Sequence, residues 1–316
     1  MSNNINGNIQ EICIQKTSFK GSSSHPFHQL TPDFILNALD ELGYITDSRL
    51  LPLNSYENRV YQIGIQDSSP IIGKFYRPNR WNKKQILEEH QFCFELVEQE
   101  LPIVAPLISE GGESLFQYKG FHFALFPRKG GYGPELDNLD NLYLLGKLLG
   151  RIHAVGSIRP FSHRNTLNSN TFGYESSKFV SENFIPAELK LSYDSLVKDL
   201  MKTIDEVVSN AGDIQNIRVH GDCHSGNILW RDDNAHFVDL DDAMMAPAIQ
   251  DIWMLLSGNR DRQNAQLSEI IDGYNEFFDF HPRELKLIDA LRTLRIINYT
   301  AWIAKRWNDP AFPMAF

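Results

Sequence analysis

Cysteine is scarce in this chain. Cys13, Cys93 and Cys223 are spread over 316 positions, which excludes a disulfide framework and points to reduced thiols and a cytoplasmic setting. Positive charge is also short: 30 Lys and Arg stand against 40 Asp and Glu, a formal charge of −10. No basic block or stripe appears, which argues against nucleic acid as a main partner and disfavours an anionic membrane surface. No apolar run approaches the ~20 residues of a membrane-spanning helix. The N-terminus has neither the basic start nor the apolar centre of a secretion signal. Internal repeats, a Walker A loop, a C-x-x-C pair and a G-x-S-x-G elbow are all missing. What is present is an ordinary apolar content of 42%, over a length that suits one large domain or two lobes.

The chemistry is concentrated between positions 219 and 242, VHGDCHSGNILWRDDNAHFVDLDD. An apolar run leads into His220-Gly221-Asp222, and Asn227 follows Asp222 by five positions. Strand-like segments at 227–230 and 235–238 flank a polar turn, and the second delivers Asp239 at its end. Phosphoryl transfer needs a carboxylate aimed at the incoming hydroxyl, and hard oxygen ligands for Mg²⁺ on the ATP phosphates. The protein-kinase loop H-R-D-x-x-x-x-N, with a later metal-binding Asp at a strand end, has this spacing. Here Gly221 replaces the Arg, and Leu240-Asp241 replace the Phe-Gly. Two other readings compete. One is ordinary turn and capping chemistry. The other is a zinc site on His220, Asp222 and His224, although after position 236 only His281 remains as a further histidine. Cys223, beside Asp222, reads as a small loop-filling residue.

Upstream, residues 1–28 are rich in Asn, Ser and Gly and read as a flexible leader with a short strand near 11–15. Thr31-Pro32-Asp33 starts a helix, with Thr as N-cap and Pro at the first helical position, and Gly43 ends it. Strands at 49–53, 59–65 and 71–76 form an antiparallel meander. The turn at 54–58 falls where a phosphate-covering loop would lie. It has no glycine, so either Ser55 and backbone N–H groups cap phosphates or the turn is a plain hairpin. Lys74 in the third strand is costly to bury unless paired. The helix at 82–99 offers Glu88 and Glu89, and Glu89 is the favoured partner for a lysine that holds the α/β-phosphates; a solvated edge lysine is the alternative. A hairpin at 114–118 and 121–126 precedes a Gly- and Pro-rich break. The spans are therefore a leader at 1–28, a β-rich N-lobe at 29–127, a hinge at 128–134 that would read adenine with its backbone, and a helical C-lobe at 135–316.

In the C-lobe an apolar helical stripe from Leu142 ends at His153, a core or helix-end residue. Residues 158–180 are polar and irregular, long enough to suggest a substrate-contacting loop. An amphipathic helix at 186–209 returns the chain to the central run. Past it, Pro247 opens a helix to 256 in which Asp251 is the one charge. A buried carboxylate must be hydrogen-bonded, so Asp251 is expected to take backbone N–H groups of the catalytic loop, unless it lies on an exposed helix face. Helices at 264–278 and 282–307 complete the chain.

HGDxHxGN followed by a strand ending in Asp resembles the aminoglycoside phosphotransferase and choline kinase branch of the protein-kinase-like fold, and in particular its bacterial stress-response members. LNSYENRVYQ (53–62), KFYRPNRW (74–81), QILEEHQF (85–92), FVDLDDA (237–243), QDIWMLL (250–256) and WNDPAFP (307–313) carry the resemblance across most of the chain. It implies an α+β, two-lobed fold with a small β-rich N-lobe and a larger helical C-lobe. It implies a cytoplasmic, monomeric, ATP- and Mg²⁺-dependent kinase of protein Ser and Thr hydroxyls that phosphorylates itself and serves in envelope and oxidative stress. By position, Asp222 matches the proton acceptor, Asn227 and Asp239 the metal ligands, and Ser55 a residue near ATP. Residues 1–25 have no clear counterpart in the family. The same fold phosphorylates antibiotics, choline and homoserine, so a small-molecule kinase is the alternative. A pseudokinase is a third reading, against which the intact Lys74, Asp222, Asn227 and Asp239 set speaks.

Overall fold

The computed structural model describes residues 25–312. The strand expected near 11–15 and most of the expected leader lie outside them. Helix α1 (Pro32–Asp40) begins where Thr31 caps it, the hydroxyl accepting from Phe34 N at 3.2 Å. Its Phe34, Ile35, Ala38 and Leu39 are buried. Gly43, at φ +83°, makes the turn out of α1, a conformation that costs glycine little.

Strands β1 (Thr46–Pro52), β2 (Arg59–Ile65) and β3 (Ile71–Phe75) are followed by α2 (Lys83–Glu98), β4 (Phe116–Tyr118) and β5 (Phe121–Pro127). The strands pair antiparallel in the order β1-β2-β3-β5-β4. Side chains alternate across a sheet. Phe75 and Phe123 therefore pack with α1 in one apolar cluster, while Ala124 and Ile86 of α2 meet in another. Lys74 pairs with Ala124 and so points to the α2 side. Helix α2 starts with a reciprocal Asn82–Gln85 capping box, both bonds 3.0 Å.

The remaining part is mostly helical: α3 (Leu139–Ser157), α4 (Ser176–Asn183), α5 (Ala187–Ala211), α6 (Ile249–Ile252), α7 (Arg260–Tyr274) and α8 (Ile288–Lys305). Two small antiparallel ribbons sit among them. One pairs β6 (Ile217–Val219) with β9 (Met244–Ala246), the other β7 (Ile228–Arg231) with β8 (Asn234–Phe237). Helices α3 and α7 touch backbone to backbone: a Cβ on Gly146 would lie 2.1 Å from Ile270 O, and one on Gly273 2.1 Å from Tyr143 O. This close crossing puts His153 under α6. The largest core joins Phe92 and Leu96 of α2 to Leu142, Leu145 and Phe237, and Val104 N and Phe237 N bond to Phe237 O and Pro102 O at 2.9 and 2.8 Å. These contacts bind the sheet-bearing part to the helical part. Among the described residues no helix is long and apolar enough to cross a membrane.

Three expectations need correction. Residues 158–180 are not one irregular loop: a π-helical stretch, Asn170–Glu175, runs straight into α4. The serines that read as loop are buried, because Ser176 and Ser177 return their hydroxyls to the carbonyls of Thr171 and Gly173 at 2.9 and 2.8 Å. The helix expected through 256 is one turn, α6, followed by a 3₁₀ turn. The last helix begins as a 3₁₀ segment, Pro282–Leu287, before α8.

Candidate active site

The site is built around the loop that leaves β6. Gly221 lies at φ +84°, and a Cβ there would sit 2.2 Å from Asp242 O; only glycine lets the loop cross the 240–242 turn this closely. Asp251, fully buried, takes His220 N and Gly221 N at 2.8 Å each and His153 Nε2 at 3.0 Å. His153 in turn accepts from the Tyr274 hydroxyl at 2.9 Å. The expected role of Asp251 is thus realised, with His153 as its lateral support. Gln250 Nε2 adds a bond to Gly221 O at 3.1 Å. His220 Nε2 donates to Val238 O at 2.9 Å, which ties the loop to the residue before Asp239. With that nitrogen engaged, His220 is a poor zinc ligand. No cluster of three His, Cys, Asp or Glu arranged for a metal occurs among the described residues.

Asn227 closes the loop from the other end. It ends a 3₁₀ turn, Ser225–Asn227, rather than starting a strand, and its Nδ2 donates to Asp222 O at 2.9 Å. Asp222 Oδ1 stands 2.6 Å from Arg295 Nη2 of α8, and Oδ2 is 3.5 Å from His224 Nε2. Burial alone would raise the Asp222 carboxyl. The His224 contact and the Arg295 charge outweigh it and hold the group well below the usual carboxylate range.

Asp239 does not end a strand. It adopts a left-handed backbone, φ +59° and ψ +61°, a conformation that Asp tolerates singly. Its carboxylate is half exposed, 53%, with Oδ1 2.7 Å from Lys74 Nζ. Lys74 Nζ also lies 3.2 Å from Asp241 and 3.8 Å from Glu89. Lys74 is therefore no solvated edge residue. Burial pulls its pKa down, but Asp239, Asp241 and Glu89 together drive it well up. Burial pushes Glu89 up to about 7, Asp241 adding to the rise while Lys74 and Arg164 oppose it. For Asp241 the balance is reversed: burial raises it, and Lys74, Arg80 and Arg164 hold it below the usual range.

Ser55 is engaged within its own turn, accepting from Val60 N at 3.1 Å and donating to Leu53 O at 3.3 Å. Among the described contacts it meets neither Lys74 nor Asp239. Glu88, the other acid considered for Lys74, faces elsewhere and accepts His163 N and Arg164 N at 2.8 and 2.9 Å.

Several residues at the site escaped the sequence reading. Arg80 bridges Asp241 at 2.7 Å, Asp242, and Glu57 at 3.4 Å. The buried Arg164 reaches Ala243 O at 2.5 Å, Asp241 O, and Gln85 O at 3.1 Å. Past α8, Asp309 takes both Arg59 and Arg77, and Glu57 takes Arg77 at 2.9 Å and Arg306 at 2.6 Å. The end of the described chain therefore clamps the 54–58 turn. Only Asp241 carried a local signal, as a third acid in the Asp239–Asp242 run. Most of the other contacts span 70 or more positions, and those of Glu57 with Arg77 and Arg80 span 20 and 23 across strand turns, where no sequence period connects them.

A five-stranded sheet over a helical lobe, with this loop and hairpin between them, is the protein-kinase-like fold of small phosphotransferases. The chain belongs to the phosphotransferase enzyme family, whose model matches residues 49–288. Among its relatives is Stress response kinase A of Escherichia coli O157:H7, 46% identical over 301 residues, which cover 93% of this chain and 89% of that protein. Serine/threonine protein kinase RdoA of Salmonella typhimurium is 45% identical over 291 residues, 92% of this chain and 88% of that one. In fold the chain is similar to amicoumacin kinase hAmiN, solved with AMP-PNP, Ca²⁺ and Ami. The TM-score is 0.71 at 19% identity, covering 86% of each chain.

Proposed function

We propose that the protein is an ATP- and Mg²⁺-dependent kinase that phosphorylates serine and threonine hydroxyls of proteins, its own included. The observation that carries this reading is a chain of contacts: Asn227 bonds to Asp222 O at 2.9 Å and accepts Val238 N at 3.0 Å, and the next residue, Asp239, meets Lys74 of the sheet at 2.7 Å. The identity of nearly half the residues to stress-response kinases over almost the whole chain favours a protein acceptor. By the same relationship, work as a cytoplasmic monomer in the response to envelope and oxidative stress belongs to this reading. Residues 128–134 are assigned as the hinge that reads adenine with its backbone, between an N-lobe at 29–127 and a C-lobe from 135.

The donor set suits magnesium. With Nδ2 of Asn227 held by Asp222 O, its amide oxygen is left as a hard donor, and Asp239 adds a half-exposed carboxylate. Mg²⁺ is typically held by one or two carboxylates together with substrate phosphates. When bound, the ion supplies positive charge against the β- and γ-phosphates. Lys74, braced by Glu89 and Asp241, meets the α/β-phosphates. The acceptor oxygen attacks the γ-phosphorus, the bond to the bridging oxygen breaks, and ADP leaves with that electron pair. Asp222 orients the hydroxyl. Held well below the usual carboxylate range, it is a weak base that takes the proton late, as a loose transition state allows. Ser55 shapes the turn over the phosphates through its backbone bonds.

The test is incubation with γ-labelled ATP and Mg²⁺, offering a generic protein substrate beside aminoglycosides, choline and homoserine. Label on protein, and on the enzyme itself, is expected. Label confined to a small hydroxyl compound would establish the small-molecule alternative instead.

A further inference from the structure

Asp222 Oδ1 is buried and receives no hydrogen bond from any described group. Arg295 Nη2 stands 2.6 Å away, so the two share charge without an aligned bond. An incoming hydroxyl is the natural donor for that lone pair, and to reach it the hydroxyl must move Arg295 aside. Arg295 has room to move: its side chain is 38% exposed on α8, and besides Asp222 its described interactions comprise no hydrogen bond or ion pair, only its charge acting on Tyr299. Moved from Asp222, a guanidinium with five donors needs another anion. His224, 44% exposed, covers the other carboxylate oxygen at 3.5 Å. Both approaches to Asp222 thus carry donors. Among the described acids of the site, Asp241 and Asp242 are tied to Arg80 and Asp239 to Lys74. A cationic acceptor would meet Arg295 first and find these carboxylates already paired.

We infer that Arg295 recognises negative charge beside the acceptor hydroxyl, so that the site favours a serine or threonine flanked by acidic residues. This rests on the protein-kinase reading above. Arg295 neutralises Asp222. With acceptor in place it turns to the flanking carboxylate, and the hydroxyl takes over Oδ1. Arg295 is a specificity residue: it sets which acceptor docks, while Asp222 handles the proton.

The experiment compares two serine peptides of equal length, one flanked by Asp and Glu and the other by Lys and Arg, with γ-labelled ATP. The wild-type protein should favour the acidic peptide in kcat/KM by about tenfold or more, the size of one charge-assisted contact. Arg295→Gln should bring the two peptides to within about twofold, mainly through KM for the acidic one, with KM for ATP unchanged; Arg295→Lys should restore part of the preference. Equal use of both peptides by the wild-type protein overturns the inference, as does a preference that survives Arg295→Gln. Failure of the protein-kinase reading looks different: neither peptide is labelled while a small hydroxyl compound is. The same comparison is then made between a hydroxy acid and an amino alcohol, and preference for the amino alcohol overturns the assignment of Arg295. Label on no acceptor at all removes both readings.

Discussion

Replacing Asp251 by Asn tests how the catalytic loop is held. The change preserves volume but turns one carboxylate oxygen into an NH₂ group. One oxygen of Asp251 now serves Gly221 N at 2.8 Å, and the other serves His220 N at 2.8 Å and His153 Nε2 at 3.0 Å. Whichever way the amide turns, it points a donor at a buried donor. With the amide oxygen toward His220 and His153, one backbone N–H loses its acceptor, a cost of about 1–3 kcal/mol. The opposite orientation strands two groups and is worse. A loss of about 2–3 kcal/mol is therefore expected, a large share of the roughly 5–15 kcal/mol that holds a domain folded. The loop carries Asp222, so the same change should shift it. Misplacement by about 1 Å costs on the order of 100-fold in rate. KM for ATP should change less than kcat, because Lys74 and Asp239 make no described contact with Asp251 and, of the proposed nucleotide and metal contacts, Asn227 alone lies on the loop. Urea denaturation and steady-state kinetics on the same preparation measure both effects. A variant with the wild-type unfolding midpoint and wild-type kcat would refute the reasoning, since it would mean the loop is held by something other than Asp251.

Further outcomes follow from the same geometry. Asp222→Ala and Asp239→Ala should each lower turnover by about 100-fold or more with the far-ultraviolet circular dichroism unchanged; normal turnover in Asp222→Ala would remove it from its role. Gly146→Ala sets a methyl 2.1 Å from Ile270 O and should cost about 1–3 kcal/mol, read as a lower melting temperature with unchanged ATP affinity. Glu89 and His90 oppose each other in pH dependence. Burial raises Glu89 from 4.5 to about 7, so between those values the folded state binds more protons than the unfolded and stability falls as pH rises. Burial, with Lys74 and Arg164, lowers His90 from 6.5 to about 3, so there the unfolded state binds more protons and stability rises with pH. The wild-type profile should be nearly flat from pH 4.5 to 6.5 as far as this pair goes. Glu89→Gln should gain about 3 kcal/mol over that range, measured by urea midpoints; an unaltered profile would count against the assignment.

The chemistry of the site was legible where it is local. Asp222 and Asn227 stand five apart because the amide of one must reach the carbonyl of the other, and that constraint is written in a single loop. Asp251 could be anticipated because a lone carboxylate in an apolar segment must find donors, and the nearest unmatched ones belong to the preceding loop. The sequence offers Glu88 and Glu89 side by side on one helix, with Glu89 favoured. The structure separates them, one onto Lys74 and the other onto the 162–164 backbone. What could not be read depends on distant elements. Arg295, Arg164 and Asp309 sit in segments whose polarity looks like an ordinary solvated surface, and they acquire roles only when α8 meets the 220–227 loop, Arg164 meets the 241–243 backbone and Asp309 meets Arg59 and Arg77. The mistaken loop at 158–180 has the same origin: serine reads as loop-forming, yet these serines satisfy themselves against helical carbonyls and can be buried.

The central claim is that Asn227 and Asp239 hold a nucleotide-bound metal while Asp222 serves the acceptor. Isothermal titration of ATP with and without Mg²⁺ into the wild-type protein, Asp239→Asn and Asp222→Asn separates these roles. Mg²⁺-dependent ATP binding is expected, lost in Asp239→Asn and kept in Asp222→Asn. Binding that is indifferent to Mg²⁺, or equally strong in all three proteins, would contradict it.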